Sequence, residues 1–370
     1  MEKKRVLIVG GGFVGLRTAT LLAGGMLKHG EVTLVSASKR FVFTPWLVDL
    51  LAGSIPLEQM SADLSDISKR DGFTFIHGTV SHLDYKQKKA VIETQNGPQT
   101  VSFDAAALCQ GAGTNFFGVP GAESYTYQLK TPDHVERLRA KLDTLPEQVS
   151  INVVGAGPTG METVFALHEY LESKGKKAKI CLIQAAPRIL PGFSQKLVDH
   201  AKHALSAASV SILEGDPVVA VEADGVRLKS GSKMAANLTI WAGGIRPNHI
   251  DTQPSLPNDP AGSISVDRTL QADENMFAAG DAAGILNPGN AAPKTAQVAM
   301  EMAPVLARNI VRFLEGRKLS TYKHHSKGVI ITAGRSGLLE LGWKISFSSP
   351  FFIWIRNQMY RFRFWQMTGE

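Results

Sequence analysis

Short apolar runs that end in glycine clusters and pass into helical patterns set the rhythm of this chain. Residues 5–9 read as a largely apolar strand, a glycine cluster follows, a helical pattern runs from 13 to about 26, and residues 31–36 read as a second strand. The same order returns at 149–154, a second glycine cluster, a helical pattern and 180–183. Further strands are predicted at 73–78, at 80–92 with a turn at Gln87, at 104–109, at 238–242 and at 276–281. Helices are predicted at 132–145 and 295–314, and residues 37–45 read as a polar, then aromatic, turn. This alternation predicts an α/β fold with parallel sheets.

Both glycine clusters have the form G-x-G-x-x-G. The first is Gly10-Gly11-Gly12-Phe13-Val14-Gly15, and the second is Gly155-Ala156-Gly157-Pro158-Thr159-Gly160, 145 positions later. The first glycine permits the tight turn, the second lets backbone approach a pyrophosphate, and the third lets helix and strand pack closely. Amides at the helix N-terminus, with the helix dipole, hold the anion. Two copies, each after a strand and before a helix, point to two dinucleotides bound side by side. An acid about 20 residues beyond each motif ordinarily binds a ribose 2′-hydroxyl. Here Ser36 and Gln184 occupy those places. A neutral Gln184 does not repel a 2′-phosphate, and Arg188 is a candidate partner for one, so NADPH is expected to be accepted as well as NADH.

A chain of 370 residues, 44% hydrophobic and 20% charged, has room for two or three ordinary globular domains. Cys109 and Cys181, the only cysteines, lie in apolar runs, and there is no C-x-x-C pair. That excludes a catalytic disulfide of the thioredoxin-reductase kind, and no Cys/His cluster suggests a metal. The first strand begins at once, so no targeting segment is expected, and no run approaches the roughly 18 apolar residues of a membrane span. The expected location is the cytoplasmic side.

The net charge of +7 is concentrated at the end of the chain. From Arg317 onward nine basic residues, Lys327 among them, face only Glu340 and Glu370. Such a tail attracts an anionic partner. Ser349-Pro350 reads as an N-cap and first helical position. On the helix that follows, Phe351, Trp354, Ile355, Met359, Phe362 and Trp365 share an arc of roughly 140°. Arg356, Asn357 and Arg363 lie outside that arc, with Tyr360 and Phe364 among them, and Arg361 flanks its edge. The pattern fits an anionic membrane interface. Packing on the protein body or on a second copy, as a homodimer, is the alternative. Nucleic acid is not expected, because the basic residues form no ordered stripe.

The chain resembles the two-dinucleotide-binding-domain flavoproteins and, among them, the type II NADH dehydrogenases, single-subunit NADH:quinone oxidoreductases. The resemblance spans roughly residues 5–345. It is carried by both fingerprints, Phe43-Thr44-Pro45, Cys109-Gln110-Gly111, Trp241 to Asn248, Phe277 to Asp281, and Ala296 to Ala299. It implies two Rossmann-like domains, the second inserted in the first: an FAD domain of residues 1–112 and 246–315, an NAD(P)H domain of 113–245, and a membrane-association or dimerisation segment of 316–370. It further implies a peripheral enzyme on the inner face of the cell membrane. There, NAD(P)H reduces the flavin and the flavin reduces a quinone, without proton pumping.

Carried over residue by residue, the resemblance assigns Gly10, Gly12, Phe13, Gly15, Ser36, Arg40, Thr44, Gly111 and Asp281 to FAD. It assigns Gly155, Gly157, Thr159, Gly160, Gln184, Arg188 and Gly244 to the nicotinamide nucleotide. A buried carboxylate such as Asp281 needs donors, which the flavin's ribityl hydroxyls would supply. Glu162 is either a helix-start anion or a group reaching the nicotinamide and flavin. Gln297 matches the first amide of the family's A-Q-x-x-x-Q pattern. Glu301 replaces the second, a departure that could supply a carboxylate for protonating a reduced quinone. Lys294 either offsets charge on reduced flavin or is a solvated surface lysine.

Overall fold

The computed structural model of the protein describes residues 3–285, 293–324, 328–342 and 344–369. Lys327 and Glu370, counted in the basic tail, lie outside the described residues. The first sheet has six strands, in the order Gln271–Asp273, Met276–Ala278, Ala105–Leu108, Lys4–Val9, Gly30–Ser36 and Thr74–His77. All neighbours are parallel except the edge strand Gln271–Asp273. Leu7, Ile8 and all of Ala105–Leu108 are buried, as expected of a parallel sheet covered on both faces.

The chain leaves this sheet after Leu108 and rejoins it at the edge strand Gln271–Asp273. Between the two it builds a second parallel sheet of four strands: Ser211–Glu214, Lys177–Gln184, Gln148–Val154 and Leu238–Trp241. The outgoing and returning segments, Ala112–Thr114 and Ile245–Pro247, pair antiparallel with each other. A double amide clasp sits beside them. Gln110 Nε2 donates to the Asn248 carbonyl at 3.0 Å, and Asn248 Nδ2 donates to the Gln110 carbonyl at 2.9 Å.

Several local readings differ from the sequence expectation. The helix from Phe13 is regular only to Leu21, because Gly24 and Gly25 leave helical geometry, Gly25 at φ 113°. Within the expected turn of 37–45, Arg40–Val42 is a strand paired with Ser61–Asp63. The tail, where only a helix was expected, begins with an antiparallel sheet of Val329–Ala333, Ser336–Leu341 and Ile345–Ser349. The helix follows at Phe351–Thr368, one residue later than expected, and Ser349 Oγ accepts from the Phe351 N–H.

This tail is docked on both units. The buried Glu340 carboxylate accepts from the Ser194 hydroxyl and N–H and from Ser346, tying the small sheet to the second unit. Helix Phe351–Thr368 packs against Phe43 and Trp46 of the first unit through Tyr360 and Phe364, with ring centroids 5.4–6.2 Å apart. Arg356 is 2% exposed and forms a two-pronged ion pair with Asp49 at 2.6 and 3.0 Å. The face expected to be polar is therefore the inward one, because a paired guanidinium can be buried among rings while unpaired charge cannot. Phe351, Trp354, Met359, Phe362 and Trp365 point outward at 49–58% exposure. Among the described residues no helix is long and apolar enough to cross a membrane.

Candidate active site

The two glycine fingerprints form matched cradles. Gly10 and Gly155 have φ of 108° and 102°, a region natural only to glycine, and their N–H groups bond Val35 and Ile183 carbonyls at 2.8 Å. A Cβ on Gly15 would overlap the Gly10 carbonyl oxygen, and one on Gly160 the Gly155 carbonyl oxygen. Around Gly12 and Gly157 nothing stands within 4 Å of an added Cβ. That open space lies against the first amides of helices Phe13–Leu21 and Pro158–Ser173, the arrangement that suits a pyrophosphate. Each cradle lies where its sheet's strand order reverses, the usual ligand crevice of such sheets. The residues present fit two dinucleotides.

The ribose-recognition positions differ between the cradles. In the first, Ser36 Oγ accepts from the Ser38 N–H at 3.2 Å. Arg40 is held by Ser61, its Nε on the Ser61 hydroxyl and an Nη on the Ser61 carbonyl, both at 3.0 Å. In the second, Gln184 turns its Oε1 back onto the Ala156 N–H at 2.8 Å. Its remaining polar group is the amide NH2, a donor. Arg188 donates to the Phe193 carbonyl at 2.7 Å and to Gln195 at 3.2 Å, which anchors it on the adjoining loop. Thr44 is exposed just after the paired strand Arg40–Val42, and Gly111 takes φ 67° at the exit from the first sheet. At Gly244, φ is 71° and an added Cβ would run into the Phe117 ring. Trp241 fixes that loop by donating to the Asn115 and Gly243 carbonyls, both at 2.9 Å. Thr159 lies in the first turn of the second helix, where its carbonyl accepts from the Thr163 hydroxyl at 2.7 Å.

Asp281 follows strand Met276–Ala278, beside the first cradle. Burial pushes its carboxyl above the usual carboxylate range, against the pull of Lys130 and Lys294. A half-buried acid with two nearby cations and space beside it is suited to hydroxyl donors. Asp281, Lys294, Val298 and Met302 line one cleft. Lys294 is exposed, and its amine donates to Ser263 Oγ at 2.7 Å and to the Asp281 carbonyl at 2.8 Å. Thr295 caps the following helix, Ala296–Leu314. On it Gln297 Nε2 lies 3.3 Å from one Glu301 oxygen, and His324 Nδ1 lies 3.3 Å from the other. Gln297, Glu301 and His324 thus form one polar chain.

Glu162 lies one turn into helix Pro158–Ser173. Its carboxylate accepts the Thr332 N–H of the C-terminal sheet at 3.0 Å. Burial pushes this carboxyl above the usual range, Arg356 and the Thr332 N–H draw it back, and Asp49 pushes it further up. Lys130, Thr332, Asp49 and Arg356 were not among the residues expected from the sequence. Asp49 alone carried a usable signal, a single acid inside the apolar run 46–51. Cys109 is buried, and burial pushes its thiol up to about 12. Among the described residues no group of three or more His, Cys, Asp or Glu is arranged to hold a metal ion.

Residues 4–303 match the pyridine nucleotide-disulphide oxidoreductases. The chain belongs to that family. Within it, the resemblance to type II NADH dehydrogenases is borne out by a type II NADH:quinone oxidoreductase of Staphylococcus aureus. That protein is 28% identical over 363 residues, covering 90% of this chain and 88% of the relative. The fold is shared with NDH2 from Plasmodium falciparum, solved in complex with NADH. The TM-score is 0.86 at 19% identity, over 99% of this chain and 98% of that one. It is also shared with the sulfide:quinone oxidoreductase of Aquifex aeolicus, at TM-score 0.83 and 19% identity, over 99% and 92% of the two chains.

Proposed function

We propose that this chain is a peripheral-membrane NAD(P)H:quinone oxidoreductase that carries two electrons from the nicotinamide to a quinone through FAD. The observation that carries the reading is the pair of matched cradles, one for each dinucleotide. FAD is assigned to Gly10, Gly12, Phe13 and Gly15 in residues 1–112 and 246–315. NADH or NADPH is assigned to Gly155, Gly157, Thr159 and Gly160 in residues 113–245. Bound FAD supplies the two-electron carrier that takes hydride from the nicotinamide and reduces the quinone.

The chain's own residues position and charge-balance this chemistry. Asp281 accepts from ligand hydroxyls, and Lys294, anchored on Ser263, keeps a positive charge beside it. Glu162 faces the junction of the two nucleotides. Gln297 and Glu301 border the quinone, Glu301 providing one proton and His324 linking it outward. The Gln184 NH2 group and the absence of an acid there suit a 2′-phosphate as well as a 2′-hydroxyl, which favours use of both nucleotides.

The exposed rings of helix Phe351–Thr368, with Leu341, Ile345 and Phe347 beside them, lie against the inner face of the cell membrane. Exposed Arg361 on the same helix meets anionic headgroups. The reading includes no proton pumping. Steady-state oxidation of NADH and of NADPH by the FAD-loaded protein, with a short-chain quinone as acceptor, tests the proposal. Quinone-dependent turnover supports it, and turnover indifferent to quinone overturns it.

A further inference from the structure

Two elements of the C-terminal segment converge on Glu162. Strand Val329–Ala333 supplies the Thr332 N–H, and helix Phe351–Thr368, packed on that strand, carries the Arg356 charge that acts on Glu162. Arg356 is the largest fully buried side chain described. Its two Nη atoms are taken by Asp49, its Nη1 also meets Asn357 at 3.1 Å, and its guanidinium lies 4.6 Å from the centre of the Tyr360 ring. Its Nε is buried without a hydrogen-bond partner among the described residues. Apolar side chains dock helices at lower electrostatic cost than a buried ion pair.

Helix Leu47–Ala52, which carries Asp49, packs directly on helix Pro158–Ser173, which carries Glu162. The charged and titratable groups facing Glu162 are therefore Arg356 and Tyr360 from the tail helix and Asp49 from the first unit. Glu169, on the same helix as Glu162, also feels Asp49. We propose that Arg356 is a positioning residue for Glu162, so that the C-terminal segment completes the reaction site as well as attaching the protein to its surface.

The electrostatics have a definite sign. Arg356 favours the carboxylate of Glu162, and Asp49 disfavours it. Burial outweighed by Asp49's hydrogen bonds leaves Arg356 charged, and burial together with Glu162 pushes the Tyr360 phenol up to about 12, so Tyr360 stays neutral. The segment thereby links the surface-facing helix to the protonation of a group at the nucleotide junction. The inference rests on the reading of Glu162 given above.

The test is the pH profile of flavin reduction by NADH, measured anaerobically on the FAD-loaded full chain and four variants. Glu162→Gln should erase the limb that Glu162 contributes. Arg356→Met should move that limb to higher pH, and Asp49→Asn should move it to lower pH. The double variant Asp49→Asn/Arg356→Met removes one charge of each sign and should return the limb close to its wild-type position. Opposite shifts that cancel in the double variant establish electrostatic positioning, which a merely structural role would not give. If Arg356→Met does not fold, the Asp49→Asn shift and its sign decide the matter. A limb erased by Glu162→Gln but unmoved, or moved in one common direction, by the others overturns this inference alone. A profile unchanged by Glu162→Gln overturns the role assigned to Glu162 itself.

Discussion

Gly15 stands so close to Gly10 that a single methyl group on Gly15 would occupy the position of the Gly10 carbonyl oxygen, and Gly160 stands in the same relation to Gly155. The contact is backbone on backbone, so no side-chain rotation can relieve it. Gly15→Ala should therefore yield protein purified without FAD, read as loss of the flavin absorbance. Gly160→Ala should keep its flavin but lose reduction by NADH. Flavin retained in Gly15→Ala at the wild-type ratio would contradict the assignment of the first cradle.

Nucleotide choice should answer to Gln184. Its Oε1 is committed to the Ala156 N–H, so the group left to face a ribose is a donor. Gln184→Glu puts a carboxylate there, repels a 2′-phosphate and accepts from a 2′-hydroxyl. The expected result is a fall of at least tenfold in kcat/KM for NADPH, about 1.4 kcal/mol, with NADH little changed. Equal losses for both nucleotides would show that Gln184 supports only the turn.

Surface binding should depend on rings the helix leaves outside. Phe362→Ser/Trp365→Ser removes two exposed aromatic side chains without touching Arg356, Tyr360 or Phe364. Burial of such side chains contributes about 1.5–3 kcal/mol each, so partition onto anionic vesicles should drop by about a hundredfold or more. Flavin reduction by NADH should be unchanged. Unaltered vesicle binding, or a concentration-dependent dimer that the substitutions abolish, would assign this face to a second copy instead.

Cys109 should be chemically silent. With its thiol pushed up to about 12 by burial, almost none is thiolate at pH 8. Iodoacetamide should leave quinone-dependent turnover intact, and Cys109→Ala should retain it. Loss of turnover in that variant, with FAD still bound, would point to cysteine redox chemistry.

The parts of the fold written in local pattern were legible. Lys4–Val9 and Gln148–Val154 are apolar runs ahead of glycines, and the return of 276–281 to the first sheet followed from the family resemblance. Gly97–Ser102 was missed because it is short, polar and half-exposed, and the strands of 329–349 because their apolar residues sit in runs only five or six residues long, too short to tell a strand from a loop. The tail shows the deeper limit. The aromatic arc was visible, and it is exposed. Which way its opposite face looked depended on Asp49, 307 positions away, because only a distant partner makes a buried Arg356 tolerable. Glu162 was similarly visible as a residue, but its partner Thr332 lies 170 positions on.

The most direct measurement is anaerobic stopped-flow of the FAD-loaded protein in two stages. NADH or NADPH first bleaches the flavin absorbance, and the reduced protein is then mixed with a short-chain ubiquinone or menaquinone analogue. The account predicts rapid bleaching followed by rapid recovery on mixing with quinone. Rapid bleaching with no recovery by quinone would contradict it and direct attention to a protein electron acceptor.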